Sequence, residues 1–194
     1  MWENILQLDS DLLVFLNGFH TPLWDKIIWQ ITQIWIWLPL FALFLWLLWR
    51  HYHKKSFLIF AFIGLSLVFS DRSSDIIKKT VKRPRPSHNE LIMNGLHFHQ
   101  YEDGTFYKGG KYGFVSGHAT NGFSLALVLI YFLRPILKRH RWWFLLCPFI
   151  FVYTRIYLGV HYPSDIICGA VLGVACATCT IGLYKLANKQ IKND

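Results

Sequence analysis

Three short stretches carry residue types that can do chemistry on an anion: Lys78-x6-Arg85-Pro86, Ser116-Gly117-His118 and Arg155-x5-His161-x3-Asp165. Lys78, Arg85 and Arg155 are fixed cations. With a helix N-terminus opening at Ser116, they predict a site for a tetrahedral dianion, for which phosphate is the natural guest. Gly117 lets backbone N–H groups approach closely, while Ser116 can cap the helix and donate a hydrogen bond. Two histidines can divide the work, one attacking phosphorus and the other protonating the leaving oxygen. A helix beginning near Pro163 puts Asp165 in its first turn, four residues beyond His161. There it can accept the His161 Nδ1–H and leave Nε2 free to attack. The competing possibility for this last stretch is an interfacial loop, with Arg155 snorkelling toward headgroups and His161 and Asp165 in water.

The composition says what must position these residues. Of 194 residues, 54% are hydrophobic, 18% aromatic and only 16% charged, which describes an integral membrane protein. A net charge of +9 would suit nucleic acid, but the Lys and Arg cluster between apolar runs, where membrane topology accounts for them. No nucleic-acid partner is expected, since no binding module of that kind is present. The expected fold is all-α, with about five transmembrane helices near residues 23–49, 56–79, 116–133, 142–158 and 163–186. Pro148 is expected to kink the fourth, and residues 1–20 to form an amphipathic helix at the interface. Residues 1–194 then make a single domain.

Basic turns at 50–55 and 134–141 share one face with Lys185, Lys189 and Lys192, which the positive-inside rule makes cytoplasmic, together with the C-terminus. The candidate residues gather on the opposite face, with residues 80–115 as an extracytoplasmic active-site loop; its long polar part, 87–112, suits a lid or binding loop. Cys147, Cys168, Cys176 and Cys179 all lie in apolar runs and read as packing residues. His97, His99, Glu102 and Asp103 lack compact ligand spacing and read as solvated or headgroup-facing loop, so neither a metal nor another cofactor is expected. Lys108 and Lys111 could meet an anionic headgroup. Arg72 is expected to pair with Asp71 or Asp75, and Lys82 and Arg83 could bind a second phosphate.

On its three stretches, in this order, the chain resembles the type-2 phosphatidic acid phosphatases, related in core to vanadium haloperoxidases and glucose-6-phosphatase. The resemblance covers the second span to the start of the fifth. It implies a metal-independent phosphatase with a phosphohistidine intermediate: His161 as nucleophile, Asp165 as its partner and His118 as general acid. Lys78, Arg85, Arg155, Ser116 and Gly117 would hold the phosphoryl oxygens. Val115 stands where the second motif normally has proline and Thr154 where the third normally has serine, and neither change removes a catalytic group.

The implied partners are the bilayer and a lipid phosphate, met on the periplasmic face of a bacterial-type inner membrane. Undecaprenyl diphosphate and a lipid A phosphate lead, ahead of phosphatidylglycerol phosphate and phosphatidic acid. Two alternatives stay open: a lipid phosphotransferase with the same intermediate, and a non-enzymatic lipid-phosphate binding or transport protein. Oligomeric state is left open.

Overall fold

In the computed structural model, which describes residues 2–193, eight α-helices follow one another: α1 (Trp2–Asn17), α2 (Pro22–Ile31), α3 (Ile34–Tyr52), α4 (Ser56–Val81), α5 (Gly117–Phe132), α6 (Arg134–Leu137), α7 (Leu146–Tyr157) and α8 (Pro163–Asn193). Local chemistry sets their ends. Thr21 caps α2 by accepting from the Trp24 N–H, with Pro22 in the first turn. Lys82 closes α4 in the left-handed conformation (φ 54°), and Arg83-Pro84 cannot continue it. Between α4 and α5 lie two short 3₁₀ turns, Pro86–His88 and Met93–Gly95, and isolated bridges from Pro84 to Tyr112 and Gln100 to Phe106.

Helix α5 is central and packs against α8, α4 and α7. Its close approach to α8 depends on two missing side chains: a Cβ on Gly169 would stand 2.6 Å from the Ser116 carbonyl oxygen, and one on Gly173 2.5 Å from that of Thr120. Gly173→Ala is therefore expected to push α5 and α8 apart and cost about 1–3 kcal/mol. A lowered thermal midpoint in detergent would report this, and Gly182→Ala, whose Cβ meets nothing within 4 Å, serves as the neutral control. One core joins Phe44, Leu48, Ile59 and Ile63 to Val128, Phe132 and Tyr184, and a second sets Leu13 of α1 against Phe123, Val152, Ile156, Tyr162 and Ile166.

Among the described residues, two helical stretches are long and apolar enough to cross a bilayer, Ile34–Val81 and Pro163–Gln190. The pair Gly117–Phe132 and Arg134–Tyr157, bent by 65°, makes a third if counted as one span. Leu23, Ile34, Trp46, Phe57, Ile76, Val171 and Leu186 all face outward. So much exposed apolar surface is costly in water and at home in lipid.

The helices depart from expectation in two places. The apolar run 23–49 is two helices, because Thr32 ends α2 and Gln33 is extended (φ −80°, ψ 136°). Thr32 Oγ1 lies 3.3 Å from Thr154 Oγ1, and Trp37 Nε1–H donates to the Ile31 carbonyl at 2.8 Å, so side chains serve groups that the break exposes. The expected fourth helix begins as a 3₁₀ stretch, Lys138–Leu145, and becomes α-helical only at Leu146. Pro148 then falls in the first turn of α7 and not in mid-helix, at a position where an N–H has no intrahelical partner to lose. Arg72 does not hold Asp75, which pairs instead with Lys78 at 3.3 Å.

Candidate active site

The nucleophile candidate sits in the turn between α7 and α8. After Tyr157 the chain reverses through Gly159, whose positive φ (66°) and contact with the Phe98 ring, 2.8 Å from where a Cβ would stand, both require glycine. This turn delivers His161 to the foot of α8, where Pro163 starts the helix and Asp165 follows. His161 and Asp165 are fully buried, with His161 Nδ1 3.3 Å from Asp165 Oδ2. The same oxygen accepts the Tyr162 N–H at 3.2 Å. Nδ1 thus faces a carboxylate, while Nε2 has no partner. Burial, and then the charges of Arg85, Arg155, Lys78 and Arg83, hold the His161 pKa well below the ordinary histidine value.

The cations arrive from three directions. Lys78, at the end of α4, lays its ammonium over Gly117, where a Cβ would stand only 2.8 Å away. Arg85 is fixed by the loop: its backbone N–H donates to the Lys111 carbonyl at 3.0 Å and its Nε–H to that of Tyr112 at 3.1 Å. Gly113 passes between Arg85 and the acid–base pair, since its Cβ would meet Asp165 Oδ2 at 2.8 Å and Arg85 Cγ at 3.2 Å. Arg155, 2% exposed, donates from Nε to Thr154 Oγ1 at 3.0 Å and from Nη1 to the Tyr107 hydroxyl at 3.4 Å. Its Nη1 lies 3.5 Å from His118 Nε2, and its Nη2 is buried without a partner. Ser116 accepts the Ala119 N–H at 3.4 Å through its side chain, and its own N–H donates to the Asp165 carbonyl at 2.9 Å. That bond ties the start of α5 to the start of α8.

All eight residues singled out by their spacing are therefore brought together. Arg83 joins them in a different role from the one expected: Nη1–H donates to Asp165 Oδ1 at 2.8 Å and Nη2–H to Asp9 Oδ2 of α1 at 2.8 Å. Its expected role at a second phosphate gives way to this double ion pair. No local pattern marks the Asp9 partnership, because the two residues are far apart in the chain. His97 and His99 are not free loop residues either, since His97 Nε2 lies 2.8 Å from Asp25 Oδ1 and His99 stacks on Trp29 at 3.7 Å. Among the described residues, no group of three or more His, Cys, Asp or Glu side chains could hold a metal ion.

A cavity of about 690 Å³ adjoins the cluster. Leu40, Phe41, Phe44, Leu125, Leu129 and Phe144 line its apolar length, and Lys78, Arg85, Gly117 and His118 stand at its polar end, with Asp71 and Asn121 beside them. A helical membrane protein that gathers one buried and two half-buried cations with two histidines beside an apolar cavity defines a class, the membrane phosphatases.

More particularly, the chain belongs to the PAP2 superfamily, whose family model matches residues 58–189. It is 36% identical over 185 residues to a lipid A 4'-phosphatase of Bacteroides thetaiotaomicron, spanning 89% of this chain and 75% of that one. It is 34% identical over 191 residues to a lipid A 4'-phosphatase of Porphyromonas gingivalis, spanning 97% and 78%. In fold it is similar to a transmembrane PAP2 type phosphatidylglycerolphosphate phosphatase from Bacillus subtilis, with a TM-score of 0.66 and 20% identity over 94% of this chain and 87% of that one.

Proposed function

We propose that this protein is a membrane lipid phosphatase that removes a phosphate from lipid A, or from a closely similar saccharolipid, through a phosphohistidine. The observation that carries the reading is the junction of Lys78, Arg85 and His118 with the apolar cavity, which suits a phosphate attached to a greasy body. Asp71 and Asn121 at that junction can accept hydrogen bonds from sugar hydroxyls or acyl amides, donors that a plain phosphatidic acid lacks. The named relatives support the same substrate.

The chemistry follows from the residues. Lys78, Arg85, Arg155, the Ser116 hydroxyl and the Gly117 N–H hold the phosphoryl oxygens. His161 Nε2 attacks phosphorus as the bond from phosphorus to the leaving oxygen breaks, and His118 gives that oxygen a proton. Water then attacks the phosphohistidine while His118 takes the water's proton, and inorganic phosphate leaves with the Nε2 lone pair restored.

In this reading the chain is one domain, and the site faces the periplasm, with residues 80–115 covering it and the C-terminus in the cytoplasm. The stretch Ile34–Val81 has 48 residues and would run about 72 Å as one straight helix, over twice the ~30 Å of hydrocarbon. Its break at His53–Lys55 with a positive φ at His53 supports two crossings, and with α5, α7 and α8 each crossing once the count is five. Helix α1 lies at the interface, its Leu8, Leu12 and Phe15 outward and its Leu13 and Asn17 inward.

The test is phosphate release from a panel of lipid A, undecaprenyl diphosphate, phosphatidylglycerol phosphate and phosphatidic acid in detergent with EDTA present. Lipid A is expected to turn over fastest, undiminished by the chelator. A clear preference for phosphatidic acid would overturn the substrate assignment, and activity lost in EDTA and restored by a divalent metal would overturn the metal-free mechanism.

A further inference from the structure

We infer that Arg83 and Asp9 are positioning residues for the nucleophile, so that the N-terminal helix holds the active site in register. The inference rests on His161 acting as nucleophile. Asp165 must present one oxygen to His161 Nδ1 while buried at 0% exposure, and an unpaired carboxylate is costly there. Arg83 is what pairs it. One face of the guanidinium reaches Asp165 Oδ1 at 2.8 Å and the Ser164 hydroxyl at 2.7 Å, and the other reaches Asp9 Oδ2 at 2.8 Å.

Asp9, 8% exposed, secures the far end by accepting the Ser164 N–H through Oδ1 at 2.9 Å and the Ser164 hydroxyl through Oδ2 at 2.5 Å. The first turn of α8, which carries Asp165, is thereby pinned to α1. The guanidinium also lies 3.9 Å from the centre of the Tyr162 ring, next in the chain to His161. Both sides of the nucleophile's setting are thus held by one planar cation. Both ends of the Arg83 guanidinium are taken up by carboxylates, so its charge serves Asp165 and Asp9 and not the incoming phosphate.

A fork that bridges two carboxylates cannot be replaced by a point charge. Arg83→Lys keeps the charge and loses the bridge, and Asp9→Asn keeps the shape and loses the anchor. Each is expected to lower kcat for lipid A by up to about 100-fold, the scale on which small misplacements act, with KM little changed. The two changes act on one chain of contacts, so the double variant should lose much less than the product of the single losses. Guanidinium added to Arg83→Ala should restore part of its kcat, which a general loss of folding would not allow.

Thermal midpoints in detergent, measured alongside, identify any variant that has simply unfolded, and Arg83→Lys and Asp9→Asn then carry the decision. Folded variants with wild-type kcat would overturn the inference, as would a raised KM with unchanged kcat, which would make Arg83 a substrate ligand. If wild type itself released no phosphate from any of the four lipids, the phosphatase reading would fall as well. The failure of either is thus distinguishable.

Discussion

His161→Ala is expected to abolish turnover, by about 10⁴-fold or more, because removing a nucleophile removes the intermediate and not merely a contact. The expectation rests on one asymmetry in the ring: Nδ1 lies 3.3 Å from a buried carboxylate oxygen, and Nε2 is buried without a partner. Only Nε2 is left to bond to phosphorus. Rapid acid-free quenching with labelled lipid should trap label on wild-type protein and none on His161→Ala. Trapped label on the variant would move the nucleophile elsewhere. The acid limb of kcat/KM follows from the same surroundings. Burial and four nearby cations hold the His161 pKa well below the usual ~6.5, so the attacking form persists as pH falls through 6.5. No loss from this group is expected until the medium is distinctly more acid. Stability runs the other way. The unfolded chain protonates this histidine near its ordinary pKa while the folded one resists, so the His161 contribution to stability declines as pH drops below ~6.5.

The chemistry-bearing residues were legible because phosphate chemistry demands them at fixed local spacing. Asp165 is four residues from His161, and Ser116 caps the helix on which His118 sits. What was not legible is whatever depends on packing between remote parts of the chain. Asp9 falls within residues 1–20, expected as an amphipathic interfacial helix, yet it is buried against Ser164 and Arg83. Asn17 is buried too, and its side chain donates to the carbonyls of His97 at 3.0 Å and Tyr157 at 2.7 Å and so ties the long loop to the end of α7. Hydropathy overlooked the break at Thr32 and Gln33 for a related reason. Two polar residues barely dent an apolar average, although their hydrogen-bonding groups suffice to end a helix.

His118→Ala should lower kcat on lipid A by about 10²–10⁴-fold, the usual worth of a positioned general acid. Its placement gives the prediction a sharper form. His118 lines the apolar cavity and its Nε2 lies 3.5 Å from Arg155 Nη1, between the cation proposed to hold phosphate and the space that would hold the departing lipid. A sugar alkoxide is a poor leaving group and needs the proton; para-nitrophenolate does not. The first step of para-nitrophenyl phosphate hydrolysis should therefore survive in His118→Ala nearly intact. The second step should still be slow, because His118 must also take the proton from the attacking water. With this activated substrate the variant is expected to release a burst of nitrophenol equal to the enzyme present and then stall as phosphohistidine. Equal losses on both substrates without a burst would remove His118 from the acid–base role. The burst also separates catalysis from mere binding: Lys78, Arg85 and Arg155 suffice to hold an anion, and only a nucleophile deprived of its acid–base partner leaves the phosphoryl group stranded on the protein.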